Sequence, residues 1–199
     1  GPDAGSDSAT RGSRGYDEIN RATEAGNFGW PYIIADNQAY LDYDFESGQS
    51  SSIFSPTNLI NDSPNNTGEA NLPDAEPALI WYADSNSTEF PMFDVAGQGR
   101  TASAGPVYHF DPALASETRL PEYFDDTLFV YDWAKSRFWE VKLDSAGEVL
   151  VINPFLQDLS FLRPIEMELG QDGAIYIIEW GTTFRGNNAN AQLVRVDYV

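Results

Sequence analysis

The strongest constraint on this chain is an internal repeat. Asp126-Thr127-Leu128-Phe129-Val130-Tyr131-Asp132-Trp133 lines up with Asp172-Gly173-Ala174-Ile175-Tyr176-Ile177-Ile178-Glu179-Trp180 after one small adjustment at the turn. Each copy follows a Pro-led run (Pro106 to Phe110; Pro164 to Leu169) and precedes a run carrying Arg, Val and an acidic residue (Arg137 to Asp144; Gln192 to Tyr198). The first copy alone has an evident fourth strand, Val149 to Phe155. Four-stranded antiparallel units repeated about 45 to 50 residues apart are how propeller blades look in sequence. A β-sandwich is the competing arrangement.

The rest of the chain supports a fold without helices. Short runs rich in β-branched and aromatic residues, including Ala78 to Tyr82, alternate with Gly, Asp, Asn and Pro turns, and no convincing helical period is present. Tyr16 to Glu24 reads as a strand and turn. The expected class is all-β: a partial β-propeller of about three four-stranded blades with long irregular loops. Residues 1–199 form one domain in this reading, with a flexible loop over 1–15, a loop excursion over 35–71, a blade over 104–155 and an incomplete last blade over 163–199. Rings of this kind hold about four to eight blades. The expectation is therefore a missing N-terminal half, or pairing with another copy through exposed blade edges.

Composition narrows the partners. The 31 Asp and Glu outweigh 11 Lys and Arg, for a formal net charge of −20. Such a surface repels phosphate backbones and anionic lipid, so nucleic acid and membrane are not expected partners. The absence of Cys removes thiolate nucleophiles, iron–sulfur clusters and cysteine zinc sites. No apolar run approaches the roughly 18 residues of a spanning helix.

Gly15-Tyr16-Asp17-Glu18-Ile19-Asn20, followed by Gly26-Asn27-Phe28-Gly29-Trp30-Pro31, resembles a signature of the glucose/sorbosone dehydrogenases, the soluble quinoprotein sugar dehydrogenases. Leu128-Phe129-Val130, Arg137 to Val141 and Gly170 to Ile177 resemble that family's last two blades, and Gly99-Arg100-Thr101 before Ala104-Gly105-Pro106 is similar to a run in a branch fused to extracellular modules. The resemblance implies the C-terminal half of a six-bladed propeller, secreted or periplasmic. Complete members oxidise sugars with pyrroloquinoline quinone (PQQ) and calcium, and the isolated part is expected to be inactive.

Residue by residue, the resemblance implies calcium-binding carbonyls at Gly1 and Pro2, with Gly12-Ser13 as the competing match. It implies a quinone-contacting lysine that falls on Ala134, with Lys135 one position later. A pair of arginines facing the quinone carboxylates falls on Arg163 and Ile165, so one is kept. The family's catalytic His lies in a blade this chain does not contain. No catalytic residue is expected here, and His109 is expected to be structural.

Two further patterns bear on function. Asp36, Asp42, Asp44 and Glu46, beside Asn37, offer oxygen ligands of the kind calcium takes, yet lack the spacing of an EF-hand; a solvated acidic loop is the competing reading. Trp81, Trp133, Trp139 and Trp180 could stack on sugar rings or pack between blades. The readings that compete with an enzyme part are a noncatalytic extracellular module that binds carbohydrate or protein, and a self-assembling structural unit.

Overall fold

The computed structural model describes residues 5–95 and 99–198. The chain divides into two compact units, Gly1–Gly97 and Gln98–Val199. Both are built from small antiparallel sheets, and the only helices among the described residues are two single 3₁₀ turns, Pro91–Phe93 and Glu122–Phe124. The all-β, partial propeller-like class expected from the sequence is what the structure shows.

In the first unit β1 (Asp17–Ile19) pairs with β6 (Ile80–Tyr82), β2 (Ile33–Ile34) with β3 (Gln38–Ala39), and β4 (Leu41–Asp44) with β5 (Gln49–Ile53). Four of these strands lie where the sequence suggested only loop between residues 35 and 71 or just before it. Their signal is weak because β2 and β3 have two residues each and β5 reads Gln-Ser-Ser-Ser-Ile. Segment 5–15 carries no strand but is tied down: Gly12 bridges to Tyr40, and the buried Ser13 donates its hydroxyl to Gln38 Oε1 at 2.9 Å. Ile33, Leu59 and Ala75 form a small core, and Tyr82 stacks on Phe93 with ring centres 4.4 Å apart.

The second unit carries the repeat. Strands β7 (Ala102–Tyr108), β8 (Thr127–Asp132), β9 (Arg137–Leu143) and β10 (Val149–Phe155) form one sheet in the order β10-β9-β8-β7. Strands β11 (Pro164–Leu169), β12 (Ile175–Glu179) and β13 (Gln192–Val196) form another. Each sheet is a meander with its strands in sequence order, which is the blade pattern. Among the described residues one sheet is four-stranded; the last is the incomplete blade, and β1 with β6 forms a single strand pair in the first unit.

The two sheets of this unit pack through their first strands and share a core. Phe129, Tyr131, Phe138 and Phe155 from the first sheet meet Met167, Ile175 and Ile177 from the second. Phe129 and Ile177 are wholly buried. Gly105 in β7 permits the close approach: a Cβ there would sit 3.2 Å from the Phe129 carbonyl oxygen and 3.4 Å from Met167 Sδ. Packing of this kind fixes the ends of β8 and β12, on which the site below is built.

Candidate functional site

Each blade of the second unit ends its second strand in a buried carboxylate. Asp132 closes β8, and its two oxygens accept the backbone N–H groups of Thr101 at 2.9 Å and Lys135 at 2.7 Å. Glu179 closes β12, accepting Leu162 N–H at 2.6 Å and Gln192 Nε2 at 2.7 Å. A buried carboxylate is tolerated only when its oxygens find donors. Here they fasten the segment entering the first strand of each blade to the end of the second.

The residue after each carboxylate is a tryptophan held by the same device. Trp133 N–H donates to Thr101 O at 3.2 Å and Trp180 N–H to Arg163 O at 2.9 Å. The repeat therefore places two equivalent indoles at the same end of neighbouring blades. They line one cleft of about 420 Å³ together with Phe184, Ile165, Thr101 and Ser103. That is within the range of about 300–1,000 Å³ usual for small-ligand sites.

Its walls are exposed yet positioned. Phe184 (62% exposed) meets Trp133 edge-on at 5.6 Å, and Trp180 (38% exposed) spends its indole N–H on Thr183 O at 2.8 Å. The loop bearing Phe184 is pinned by Asn188, whose Oδ1 accepts Thr183 N–H at 2.8 Å while its Nδ2 donates to Thr183 O at 3.1 Å. Gly181 makes the tight entry into that loop at φ +105°, and a Cβ there would lie 2.7 Å from Asn190 Oδ1. Beneath the cleft, burial pushes the Tyr131 phenol above its ordinary value, so it stays protonated and donates to Ile165 O at 3.2 Å. The Thr101 hydroxyl donates to Arg100 O at 2.6 Å and the Ser103 hydroxyl bonds the Tyr131 phenol, so both meet a ligand as acceptors; aromatic faces beside them suit a ligand with one apolar face and a hydroxyl-bearing edge.

Of the candidates for cofactor or metal binding, one borders this cleft. Arg163 borders it: its guanidinium lies over the Trp133 ring at 4.9 Å and Nη1 donates to Thr182 O at 2.7 Å. Its backbone is left-handed at φ +58° and is held by Ser136 Oγ, which accepts Arg163 N–H at 3.1 Å. Lys135 lies in the turn after β8, only 1% exposed, with Nζ donating to Gly99 O at 2.6 Å. Gly1 and Pro2 lie outside the described residues. The competing Gly12 carbonyl accepts Ser8 N–H at 2.8 Å.

A quinone with three carboxylates needs several cations converging on it. The positions the resemblance implies do not meet that demand: Lys135 is buried against a carbonyl, Ile165 stands at the second arginine position, and among those positions Arg163 is the one cation left beside the cleft.

Other candidates lie apart. His109 is exposed, with Nδ1 2.9 Å from Asp126 Oδ1. With Asp125 it forms the one grouping of three or more metal-ligand side chains among the described residues, their ligand atoms lying within 4.8 Å of one another. Asp36, Asp42, Asp44 and Glu46 are not so grouped. Trp139 is buried, and Trp81 packs edge-on against Phe90 at 4.9 Å. Phe184 and Ser103 escaped the sequence reading, and Thr101 entered it only within the Gly99-Arg100-Thr101 run; a lone Phe amid Thr, Gly and Asn was the available signal for the first.

No family model matches the chain, and no curated protein matches it. A solved structure described as the crystal structure of glucose dehydrogenase is similar over 92% of this chain, with 17% identity and a TM-score of 0.49. The chain spans 39% of the length of that structure. So remote a likeness is silent on chemistry.

Proposed function

We propose that the chain is the C-terminal part of a sugar-dehydrogenase-like propeller and contributes a surface that binds a neutral sugar, with Trp133 and Trp180 stacking on the apolar face of a pyranose. The observation that carries this reading is the pair of repeat-equivalent, solvent-reachable indoles on one cleft with Phe184. At the rim Arg163 keeps guanidinium hydrogens beyond the one given to Thr182 O, and the Thr101 hydroxyl, which donates to Arg100 O at 2.6 Å, keeps its oxygen as an acceptor. In the complete protein, secreted or periplasmic, sugar oxidation with PQQ and calcium draws on groups supplied by the missing N-terminal half, and the chain alone is inactive. That half, or another copy, pairs with the edge of β13, which among the described residues is bonded only to β12.

A second reading has its own support. The commitment of Lys135 to Gly99 O favours a noncatalytic carbohydrate-binding module over an enzyme part. Two measurements separate the readings. Calorimetric titration with D-glucose, D-galactose, D-xylose and D-mannose is expected to show binding by at least one sugar, weakened about tenfold by Trp180→Ala. No binding by any of the four overturns both readings. Dye reduction by the same sugars is then followed in the full-length protein with PQQ and calcium: turnover supports the dehydrogenase reading, and intact binding without turnover supports the module.

A further inference from the structure

The first unit holds a second aromatic cleft that the reading above does not use. Its volume is about 340 Å³, and its lining includes Trp30, Tyr32, Tyr43, Phe45, Arg11 and Asp42. Trp30 is 63% and Phe45 81% exposed, in a chain whose large aromatics are otherwise mostly packed. Phe45 meets Tyr43 edge-on at 5.1 Å, and Tyr32 meets Phe54 edge-on at 4.8 Å, so the rings sit in fixed relation.

Two charged side chains complete the lining. Arg11 lays its guanidinium over Tyr43, 3.9 Å from the ring centre, and 5.2 Å from that of Phe45. No acceptor among the described residues takes its guanidinium hydrogens, which lie in the plane of the group and stay available while its face is stacked. Asp42 accepts Ser51 Oγ at one carboxylate oxygen, 2.9 Å away, and its other oxygen has no partner among the described residues. The backbone beneath is secured, since Leu41 N–H donates to Arg11 O at 3.1 Å.

Exposed ring faces, an unspent planar donor and an unspent carboxylate acceptor in one cleft match a polyhydroxylated ring: apolar on its faces, able both to donate and to accept around its edge. A purely apolar ligand leaves the two charged groups unused. An anion meets Asp42 and a net charge of −20. A cation meets Arg11. We infer that this cleft is a second carbohydrate site, taking a residue of a neutral glycan, independent of the cleft at Trp133 and Trp180.

The test uses the intact chain with cellohexaose, xylohexaose and mannohexaose, read by calorimetry and by the indole N–H resonance of Trp30. At least one hexasaccharide is expected to shift Trp30, and the Trp30→Ala/Phe45→Ala double variant to weaken that binding at least tenfold. Because both side chains are exposed, the variant should keep its fold, checked by unchanged amide shifts of Ile33 and Leu59 in the core below. Asp42→Asn and Arg11→Gln should each weaken binding several-fold. Trp180→Ala should leave the Trp30 response intact, so failure at one cleft is distinguishable from failure at the other. An unmoved Trp30 resonance with all three glycans overturns the proposal. So does full affinity in the double variant, or concentration-dependent self-association that this variant abolishes without any glycan response, which would assign the patch to a second copy.

Discussion

The two blades of the second unit are copies of one pattern that differ in two places. Both clasp the entrance of the first strand with a buried carboxylate, Asp132 or Glu179, and follow it with a tryptophan. In the first blade the chain turns at once, from Trp133 to Ser136, into β9, and a fourth strand completes the sheet. In the second the same corner swells into a loop from Trp180 to Ala191, and the described residues hold three strands of the sheet. What is shared builds the scaffold; what differs builds the cleft, because the swollen loop carries Phe184 across to Trp133. Function placed on a loop held by a rigid sheet is a general economy of folds.

The largest test of that comparison removes what the blades share. Phe129→Ala opens a hole in the common core and should cost about 3–5 kcal/mol in urea unfolding; a cost below 1 kcal/mol would mean the sheets do not depend on each other. Next come the clasps. Asp132→Ala strands two backbone N–H groups and Glu179→Ala one backbone group and an amide, so each should cost about 1–3 kcal/mol per buried donor left unsatisfied. Asp132 is the more expensive, and the reverse order would break the equivalence.

Smaller effects probe the difference. Phe184→Ala removes only the wall the second blade adds, so sugar affinity should fall about threefold at unchanged stability, whereas Trp133→Ala and Trp180→Ala should each cost about tenfold, worth about 1.4 kcal/mol. None of the cleft-lining residues named above titrates near neutrality, so affinity should be flat from about pH 5 to 9; a bell-shaped profile would implicate a group outside the cleft.

The smallest effect lies at high pH. The buried Tyr131 phenol has its pKa raised in the fold, chiefly by desolvation. Its neutral form is favoured there, so its contribution is fully present below the unfolded value of about 10 and is lost as pH rises through the folded one. Tyr131→Phe should make the alkaline fall in stability shallower.

The legibility of the chain follows the same division. Strands β7 to β13 could be read from sequence because five to seven residues of Val, Ile, Phe and Tyr between turn residues declare a half-buried ladder. Val149–Phe155 has the bounds the sequence suggested, while β7 begins at Ala102 rather than Pro106, since Ala102-Ser103-Ala104-Gly105 has no β-branched residue. The hairpins of the first unit were hidden: their strands are too short for a period to show, and long-range ties such as Ala35 N–H to Glu18 Oε1 at 2.5 Å hold them.

The tryptophans of the cleft were legible as a repeated pair, though not their meeting with Phe184, which depends on the fold of the Thr182 to Asn190 loop. Only the resemblance singles out Lys135, one position after the lysine it implies; that its ammonium turns inward to Gly99 O is a tertiary fact no spacing encodes.

The most direct measurement is an indole N–H spectrum of the intact chain during titration with the best-bound monosaccharide. Its five tryptophans are separate reporters of five places. The account predicts that Trp133 and Trp180 move together along one saturable curve while buried Trp139 stays still. Saturable binding that leaves both of them unmoved would contradict it.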